Sequence, residues 1–152
     1  MEIEMNKSFL IDHTKFGEGL YISRVDGDIT TYDMRFYRPN GGEYLSDISM
    51  HTFEHMFSTY IRNTELDVIY FGPMGCRTGF YLLCRNAENS KVIAQIKNSL
   101  ERIIDHNGGV FGASKEECGH FRCLDLNTAK FEAERYLKIL HSKNIDFKYY
   151  QE

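Results

Sequence analysis

The chain has 152 residues, of which 42% are hydrophobic and 26% are charged, and this composition is typical of a globular domain rather than a disordered chain. Its 18 basic and 22 acidic side chains give a formal net charge of −4. An acidic chain without a basic run is a poor candidate for nucleic-acid binding. We therefore expect a single domain over residues 1–152 and no nucleic-acid partner.

The N-terminal segment and the cysteines indicate a cytoplasmic protein. The first seven residues lack the basic start and apolar run of a secretory signal, and no apolar stretch approaches the ~20 residues that a membrane helix needs. The four cysteines, which include Cys76 and Cys118, show no Cys-x-x-Cys spacing, which argues against a zinc ribbon or a thioredoxin-type site. We expect reduced thiols, available for chemistry or metal binding, and no membrane partner.

The first half of the chain predicts a hairpin followed by a helix. Strands are expected over 20–25 and 29–37, with a turn at Asp26-Gly27 between them. Alternation over 29–37 predicts that Asp33 and Arg35 lie on the face opposite Tyr32. A helix begins at Ser46 or Asp47, either of which can serve as its cap, and ends near residue 63.

The second half predicts two more strands and two more helices. The strands are expected over 68–71 and 79–84, with a glycine-rich turn between them. Asn89 or Ser90 is expected to cap a helix that stops at 107–109, and Asn127 to open a third helix with Phe131 on its apolar face. Together these elements indicate an α+β fold, a mostly antiparallel sheet with helices packed on one face.

The sharpest local signal is the pair His51 and His55 on the first predicted helix. At about 100° per residue the two side chains lie roughly 40° apart, one turn from each other, which suits two imidazoles on one metal ion. Glu54 lies on the same side and has the chemistry of a base beside a metal. The alternative is a polar helix face that carries two histidines by chance.

The apolar face of the same helix points the other way. Its hydrophobic positions, which include Phe53 and Phe57, lie roughly 150° from the histidines. The ligand face therefore needs a cover, and the chain offers few loops long enough to provide one. We expect a second subunit to do so.

A catalytic metal site usually has three protein ligands and an open position, so a third ligand is needed. The residues alone leave the choice open among five candidates: Cys118, Cys76, His13, His106 and His120. Cys118 lies in a loop between two predicted helices. Cys76 lies in the glycine-rich turn, where the charge of the neighbouring Arg77 favours a thiolate.

Three motifs in this order resemble the S-ribosylhomocysteine lyase (LuxS) family. They are His51-Thr52-Phe53-Glu54-His55, the Pro-Met-Gly-Cys-Arg-Thr-Gly turn over 73–79, and Glu-Cys-Gly over 117–119. The residues around Ser8, His13 and Arg35 are similar to the N-terminal pattern of that family. The resemblance runs from about residue 8 to the third helix.

The resemblance implies a homodimer with its sites at the subunit interface. The implied reaction converts S-ribosyl-L-homocysteine to L-homocysteine and 4,5-dihydroxy-2,3-pentanedione, the autoinducer-2 precursor. It also implies one divalent metal per chain, Fe²⁺ with Zn²⁺ or Co²⁺ as substitutes, and the reaction needs no organic cofactor. The implied site residues are His51, His55 and Cys118 as metal ligands, Glu54 and Cys76 as acid/base groups, and Ser8, His13 and Arg35 as substrate-binding residues.

One position departs from the family pattern, because residues 69–72 read Ile-Tyr-Phe-Gly where many members carry an acidic residue. The group that meets the substrate's amino group therefore differs near Tyr70. We assign no role to residues 120–123. Two other functions remain as alternatives: a metallopeptidase using His51, Glu54 and His55, which leaves Cys76 without a role, and a non-catalytic metal-binding dimer.

Overall fold

The computed structural model describes residues 2–150, so Met1, Gln151 and Glu152 of the expected domain lie outside the described residues. A short 3-10 helix, Lys7–Phe9, precedes the main elements. In chain order these are β1 (Gly19–Asp26), β2 (Ile29–Arg35), α1 (Asp47–Arg62), β3 (Asp67–Pro73), β4 (Gly79–Arg85), α2 (Asn89–Ile104) and α3 (Leu126–Ser142). The predicted α+β class is confirmed. No helix within residues 2–150 combines the length and hydrophobicity needed to cross a membrane.

The four strands form one antiparallel sheet in the order β1-β2-β4-β3. The hairpin between β1 and β2 turns at Gly27, whose φ of 60° favours glycine. One face of the sheet packs against the helices through aromatic side chains. Phe53 of α1 lies 5.0 Å from Phe80 of β4, and Tyr136 of α3 stacks at 4.1 Å on Phe36, just after β2.

The opposite face of the sheet is also covered. Asp33 is 0% exposed and Arg35 is 2% exposed, although a strand arginine is more often a surface charge. Two segments that the sequence patterns did not identify lie over this face. Phe16 comes from the N-terminal side, and Tyr149 from the C-terminal segment stacks on Tyr21 of β1 at 4.9 Å.

The helix starts agree with the sequence in two cases out of three. Ser46, one of the two residues expected to cap α1, accepts a hydrogen bond from the backbone N–H of Ser49. For α2 the expected cap is wrong: the N-cap is Glu88 without a side-chain bond, because the Oδ1 atom of Asn89 accepts from the Tyr32 hydroxyl at 2.7 Å instead. In α3, which starts within a residue of the prediction, Phe131 is 61% exposed.

Candidate active site

Helix α1 presents the two histidines as its sequence predicts. The centroids of the His51 and His55 rings lie 4.6 Å apart, and the ring planes are nearly perpendicular at 89°. The opposite side of the helix is packed into the core, where Phe53 and Phe57 are 0% exposed. The burial of this apolar side therefore turns the imidazoles away from the sheet.

Cys118 joins the two histidines in a compact cluster. One nitrogen of each imidazole and the Cys118 sulfur all lie within 4.8 Å of one another. The distance from Cys118 Sγ to His51 Nε2 is 3.4 Å. Cys118 lies in the connection over residues 105–125, where its backbone N–H donates to the carbonyl of Ser114 at 3.1 Å. Of the five candidate third ligands, Cys118 is the one that meets His51 and His55.

Two of the other candidates lie nearby but have different contacts. His106 Nδ1 lies 2.6 Å from the Tyr60 hydroxyl, and its Nε2 lies 2.8 Å from the carbonyl of Gly109. These contacts occupy both ring nitrogens. His120 is exposed and donates its backbone N–H to Cys118 Sγ at 3.4 Å. Neither imidazole belongs to the three-residue cluster.

Backbone carbonyls orient both imidazoles of the cluster. His51 Nδ1 donates to the carbonyl of Cys123 at 2.8 Å, and His55 Nδ1 donates to the carbonyl of Phe111 at 2.8 Å. A proton on each Nδ1 leaves the Nε2 lone pair available for a metal. Two imidazoles and one cysteine sulfur form a donor set that would suit a divalent ion such as Fe²⁺, Co²⁺ or Zn²⁺.

The chain itself supplies part of the cover for this face, through the connection over residues 105–125. Residues 105–125 lie over the outer side of α1, where the carbonyls of Cys123 and Phe111 accept from His51 and His55 at 2.8 Å each. The end of this loop is held to the helix because the N–H of Asp125 donates to Thr52 Oγ1 at 2.9 Å. The carbonyls of Phe111 and Cys123 carry no side-chain signal, since any residue supplies a carbonyl.

Cys76 belongs to a second group, on the sheet face away from the helices. Its sulfur lies 3.0 Å from Thr78 Oγ1 and 4.0 Å from Arg35 Nη1. Arg35 Nη1 also donates to Thr78 Oγ1 at 2.8 Å. The cation beside the thiol is therefore Arg35, a residue 41 positions away in the chain. The expected neighbour, Arg77, instead pairs with Asp47 at 3.7 Å.

Asp33 holds Arg35 in place. The Arg35 guanidinium donates through Nε and Nη2 to the two carboxylate oxygens of Asp33, at 3.0 and 2.5 Å. Burial raises the pKa of Asp33, while the charge and hydrogen bonds of Arg35 act in the opposite direction. With its paired N–H groups on Asp33, the Arg35 guanidinium directs its Nη1 side toward Thr78 and Cys76.

Of the remaining predicted residues, His13 lies on the side of the second group. His13 Nδ1 donates to the carbonyl of Ile11 at 2.8 Å, and its ring lies 5.5 Å from Phe16, which in turn lies 5.1 Å below the Arg35 guanidinium. Ser8 is half-buried, and its hydroxyl donates to Asn6 Oδ1 at 3.1 Å. Tyr70 is 51% exposed, with its hydroxyl against the backbone of Gly72.

The two groups are separate within one chain. Glu54 is half-buried on the histidine side of α1. Among residues 2–150, no hydrogen bond or ion pair joins Cys76 to Glu54 or to the three-residue cluster. One described chain therefore holds a candidate metal centre and a candidate thiol site, on opposite layers of the fold.

The fold and these two groups define an α+β protein with a candidate metal centre made of two histidines and one cysteine. The sequence model described as S-ribosylhomocysteinase (LuxS) matches residues 6–146. The chain belongs to this family, which confirms the resemblance seen in its motifs.

Named relatives of the chain extend over nearly its whole length. S-ribosylhomocysteine lyases of Borrelia garinii subsp. bavariensis and Finegoldia magna are each 40% identical to it, over 151 and 146 residues. These alignments cover 93% and 91% of this chain, and 96% and 94% of the relatives. The S-ribosylhomocysteine lyase of Clostridium beijerinckii is 38% identical over 143 residues, covering 89% of this chain and 90% of the relative. The metallopeptidase and the non-catalytic dimer are not favoured.

Proposed function

We propose that this chain is an S-ribosylhomocysteine lyase, a carbon–sulfur lyase that converts S-ribosyl-L-homocysteine to L-homocysteine and 4,5-dihydroxy-2,3-pentanedione. The observation that carries the proposal is the pairing of a two-histidine, one-cysteine cluster with a second thiol beside a buried arginine, in a chain of the LuxS family. A peptidase needs a metal and a base but has no use for that thiol.

His51, His55 and Cys118 hold one divalent metal per chain, through their Nε2 atoms and the sulfur. We propose Fe²⁺ as the ion in the cell, with Zn²⁺ or Co²⁺ as substitutes. When bound, the ion supplies Lewis-acid stabilisation of the oxygens that gain negative charge. A thiolate ligand and a thiolate acid/base both need a reducing compartment, so we place the enzyme in the cytoplasm.

Glu54 and Cys76 move the protons. The carbon–sulfur bond breaks only after the sugar carbonyl has moved beside the carbon that loses a proton. Two proton transfers between neighbouring carbons achieve this, and a third abstraction expels the thiolate by β-elimination. The released homocysteine sulfur takes up a proton, and the reaction involves no net oxidation. The Nη1 atom of Arg35 lies 4.0 Å from the Cys76 sulfur, so a cation faces the atom that takes up and returns the proton.

Ser8, His13 and Arg35 form the substrate side of the pocket. His13 belongs to the layer that carries Cys76, since it reaches Arg35 through the ring of Phe16, and Ser8 precedes His13 in the same N-terminal segment. Since Asp33 occupies two donors of Arg35, we propose that substrate meets the Nη1 side, next to the thiol. Residues 69–72 carry no acidic side chain, and a backbone or hydroxyl oxygen near Tyr70 receives the substrate's amino group.

We further propose a two-fold symmetric homodimer of single domains, residues 1–152, with sites at the subunit interface. The argument is the separation of the two groups within one chain. In such a dimer the thiol group of one subunit faces the metal centre of the other. Apolar side chains near both groups are available for contact, among them Ile48 of α1, 42% exposed, and Tyr70 of β3.

Release of free thiol from S-ribosylhomocysteine, measured beside a peptidase assay, tests the activity. Mixing two inactive variants tests the shared site. Cys118→Ala loses the metal, and Cys76→Ala keeps the metal but loses the acid/base group. A heterodimer of the two has one intact site if each site combines both subunits, so a random mixture regains about a quarter of the full rate. No recovery in a mixture shown to exchange subunits would place Cys76 and the metal of one site in the same chain.

The same variants separate the roles of the two cysteines. Metal analysis should find the ion in Cys76→Ala and not in Cys118→Ala, and light scattering should give a dimer for both. If Cys76→Ala is the variant that lacks metal, the two roles are exchanged.

A further inference from the structure

The C-terminal segment, residues 145–150, packs against the sheet face that carries the Cys76 group. The N–H of Ile22 in β1 donates to the carbonyl of Phe147 at 2.8 Å, so this segment adds to the edge of the sheet. The Tyr150 hydroxyl accepts from the N–H of Asp12 at 2.6 Å, which ties it to the N-terminal segment beside His13. The family match ends at residue 146, so Tyr149 and Tyr150 lie beyond the matched residues.

Tyr149 continues this contact to the buried ion pair. Its ring packs between Phe16 at 4.7 Å and Tyr21 at 4.9 Å. Its hydroxyl donates to Asp33 Oδ2 at 2.8 Å. The same Oδ2 atom accepts from Arg35 Nη2, and the Nη1 atom of Arg35 faces Thr78 and Cys76. A chain of polar contacts thus runs from the C-terminal segment to the thiol.

We propose that Tyr149 is a positioning residue of this enzyme, which acts through Asp33 to fix the Arg35 guanidinium beside the Cys76 sulfur. Asp33 is fully buried, so its carboxylate depends on donors from the protein. Arg35 supplies two of them and Tyr149 a third, in the direction that the guanidinium does not cover. Loss of the third donor lets the carboxylate and the guanidinium shift together. The proposal rests on the proposed function for the role of Cys76.

The test compares two variants that each remove one hydroxyl from the same aromatic cluster. Tyr149→Phe keeps the stacking and deletes the hydrogen bond to Asp33. Tyr21→Phe is the matched control, because the Tyr21 hydroxyl donates to the carbonyl of Gly17 and not to Asp33. For each variant, the rate of Cys76 alkylation by iodoacetamide at fixed neutral pH is followed on its own peptide by mass spectrometry, beside kcat, KM and the thermal midpoint.

We expect slower alkylation of Cys76 in Tyr149→Phe and a fall in kcat/KM of roughly tenfold, because one hydrogen bond to a charged group is lost and the Nη1 side of Arg35, which we propose meets the substrate, shifts with it. Tyr21→Phe should lower the thermal midpoint without changing the alkylation rate. Equal alkylation rates in the two variants would overturn the proposal. If Tyr149→Phe slows alkylation while Cys76→Ala remains active, the positioning role stands and the proposed acid/base role of Cys76 fails.

Discussion

Gly112 provides the most direct test of how the metal centre is oriented. Its φ of +67° lies in the left-handed region, and a Cβ built there would lie 3.3 Å from His55 Nδ1. That nitrogen is the one that donates to the neighbouring carbonyl of Phe111. A Gly112→Ala substitution therefore strains the backbone and presses on a ring that has little room to move.

The two effects differ in magnitude and in readout. A left-handed conformation costs a residue with a Cβ about 1–2 kcal/mol, which lowers the melting temperature by roughly 2–8 °C for a chain of this size. Disturbing the carbonyl that orients a metal-binding histidine typically lowers metal affinity by about 10- to 100-fold. We therefore expect Gly112→Ala to lose its metal to a chelator far more readily than the wild-type protein.

The assay is competition for Co²⁺ against a chromophoric chelator, with thermal unfolding of the metal-free protein measured alongside. Gly109→Ala is the matched control from the same loop, since a Cβ there meets nothing within 4 Å and its φ is not positive. The metal affinity of Gly109→Ala should equal that of the wild type. If Gly112→Ala unfolds at a lower temperature than the wild type but binds Co²⁺ equally tightly, the Phe111 carbonyl does not orient His55 for metal binding.

Three further outcomes are expected. Glu54→Gln should retain its metal and lose on the order of 10²-fold or more in kcat, the usual contribution of a positioned base, and near-normal turnover would refute that role. Burial raises the pKa of Cys84 to about 11, so this thiol should resist iodoacetamide at neutral pH, and Cys84→Ala should change the thermal midpoint but not kcat. Burial also raises the pKa of Glu132, so the stability that its protonated form contributes below the pKa of the unfolded chain is lost as the pH rises through the folded-state pKa. The Gln side chain of Glu132→Gln still accepts from the Tyr37 hydroxyl but does not ionise. The thermal midpoint of Glu132→Gln should therefore rise relative to that of the wild type as the pH is raised from about 4 to about 8. If the difference between the two midpoints stays constant, Glu132 does not titrate in this range.

The elements that sequence patterns predict well are those that depend on neighbouring residues. The cap at Ser46 and the histidine pair on α1 depend on spacings of three or four positions, which the sequence displays directly. The cap expected at Asn89 failed because a tyrosine 57 residues away takes its side-chain oxygen. In the first half of α3 the core positions are filled by Ala129 and Ala133, small side chains whose hydrophobic signal is weaker than that of the exposed Phe131.

In the candidate site, too, some features follow from residue types in the sequence and others depend on contacts between distant residues. His51, His55 and Cys118 are chemically distinctive, so a short list of possible ligands could be made from residue types alone. The groups that orient the two histidines are backbone carbonyls. The partner of the Cys76 thiol is Arg35, which lies at the end of β2, whereas Cys76 lies in the turn between β3 and β4. Neither leaves a local pattern, because both depend on how separate elements pack against each other.

The separation of thiol and metal within the chain follows from packing that is costly to change. Helix α1 buries Phe53 and Phe57 against the sheet, which directs its histidines outward. On the sheet, Gly79 of β4 lies so close to β2 that a Cβ would come within 2.2 Å of the Met34 carbonyl oxygen, and this fixes the preceding turn beside Arg35. Moving Cys76 toward the histidines of its own chain would break that strand pairing or expose the α1 core, so the proposed two-fold dimer is the arrangement that brings the two groups together with both packings kept. Recovery of activity in the mixture of Cys118→Ala and Cys76→Ala is therefore the outcome that the packing of a single chain leads us to expect.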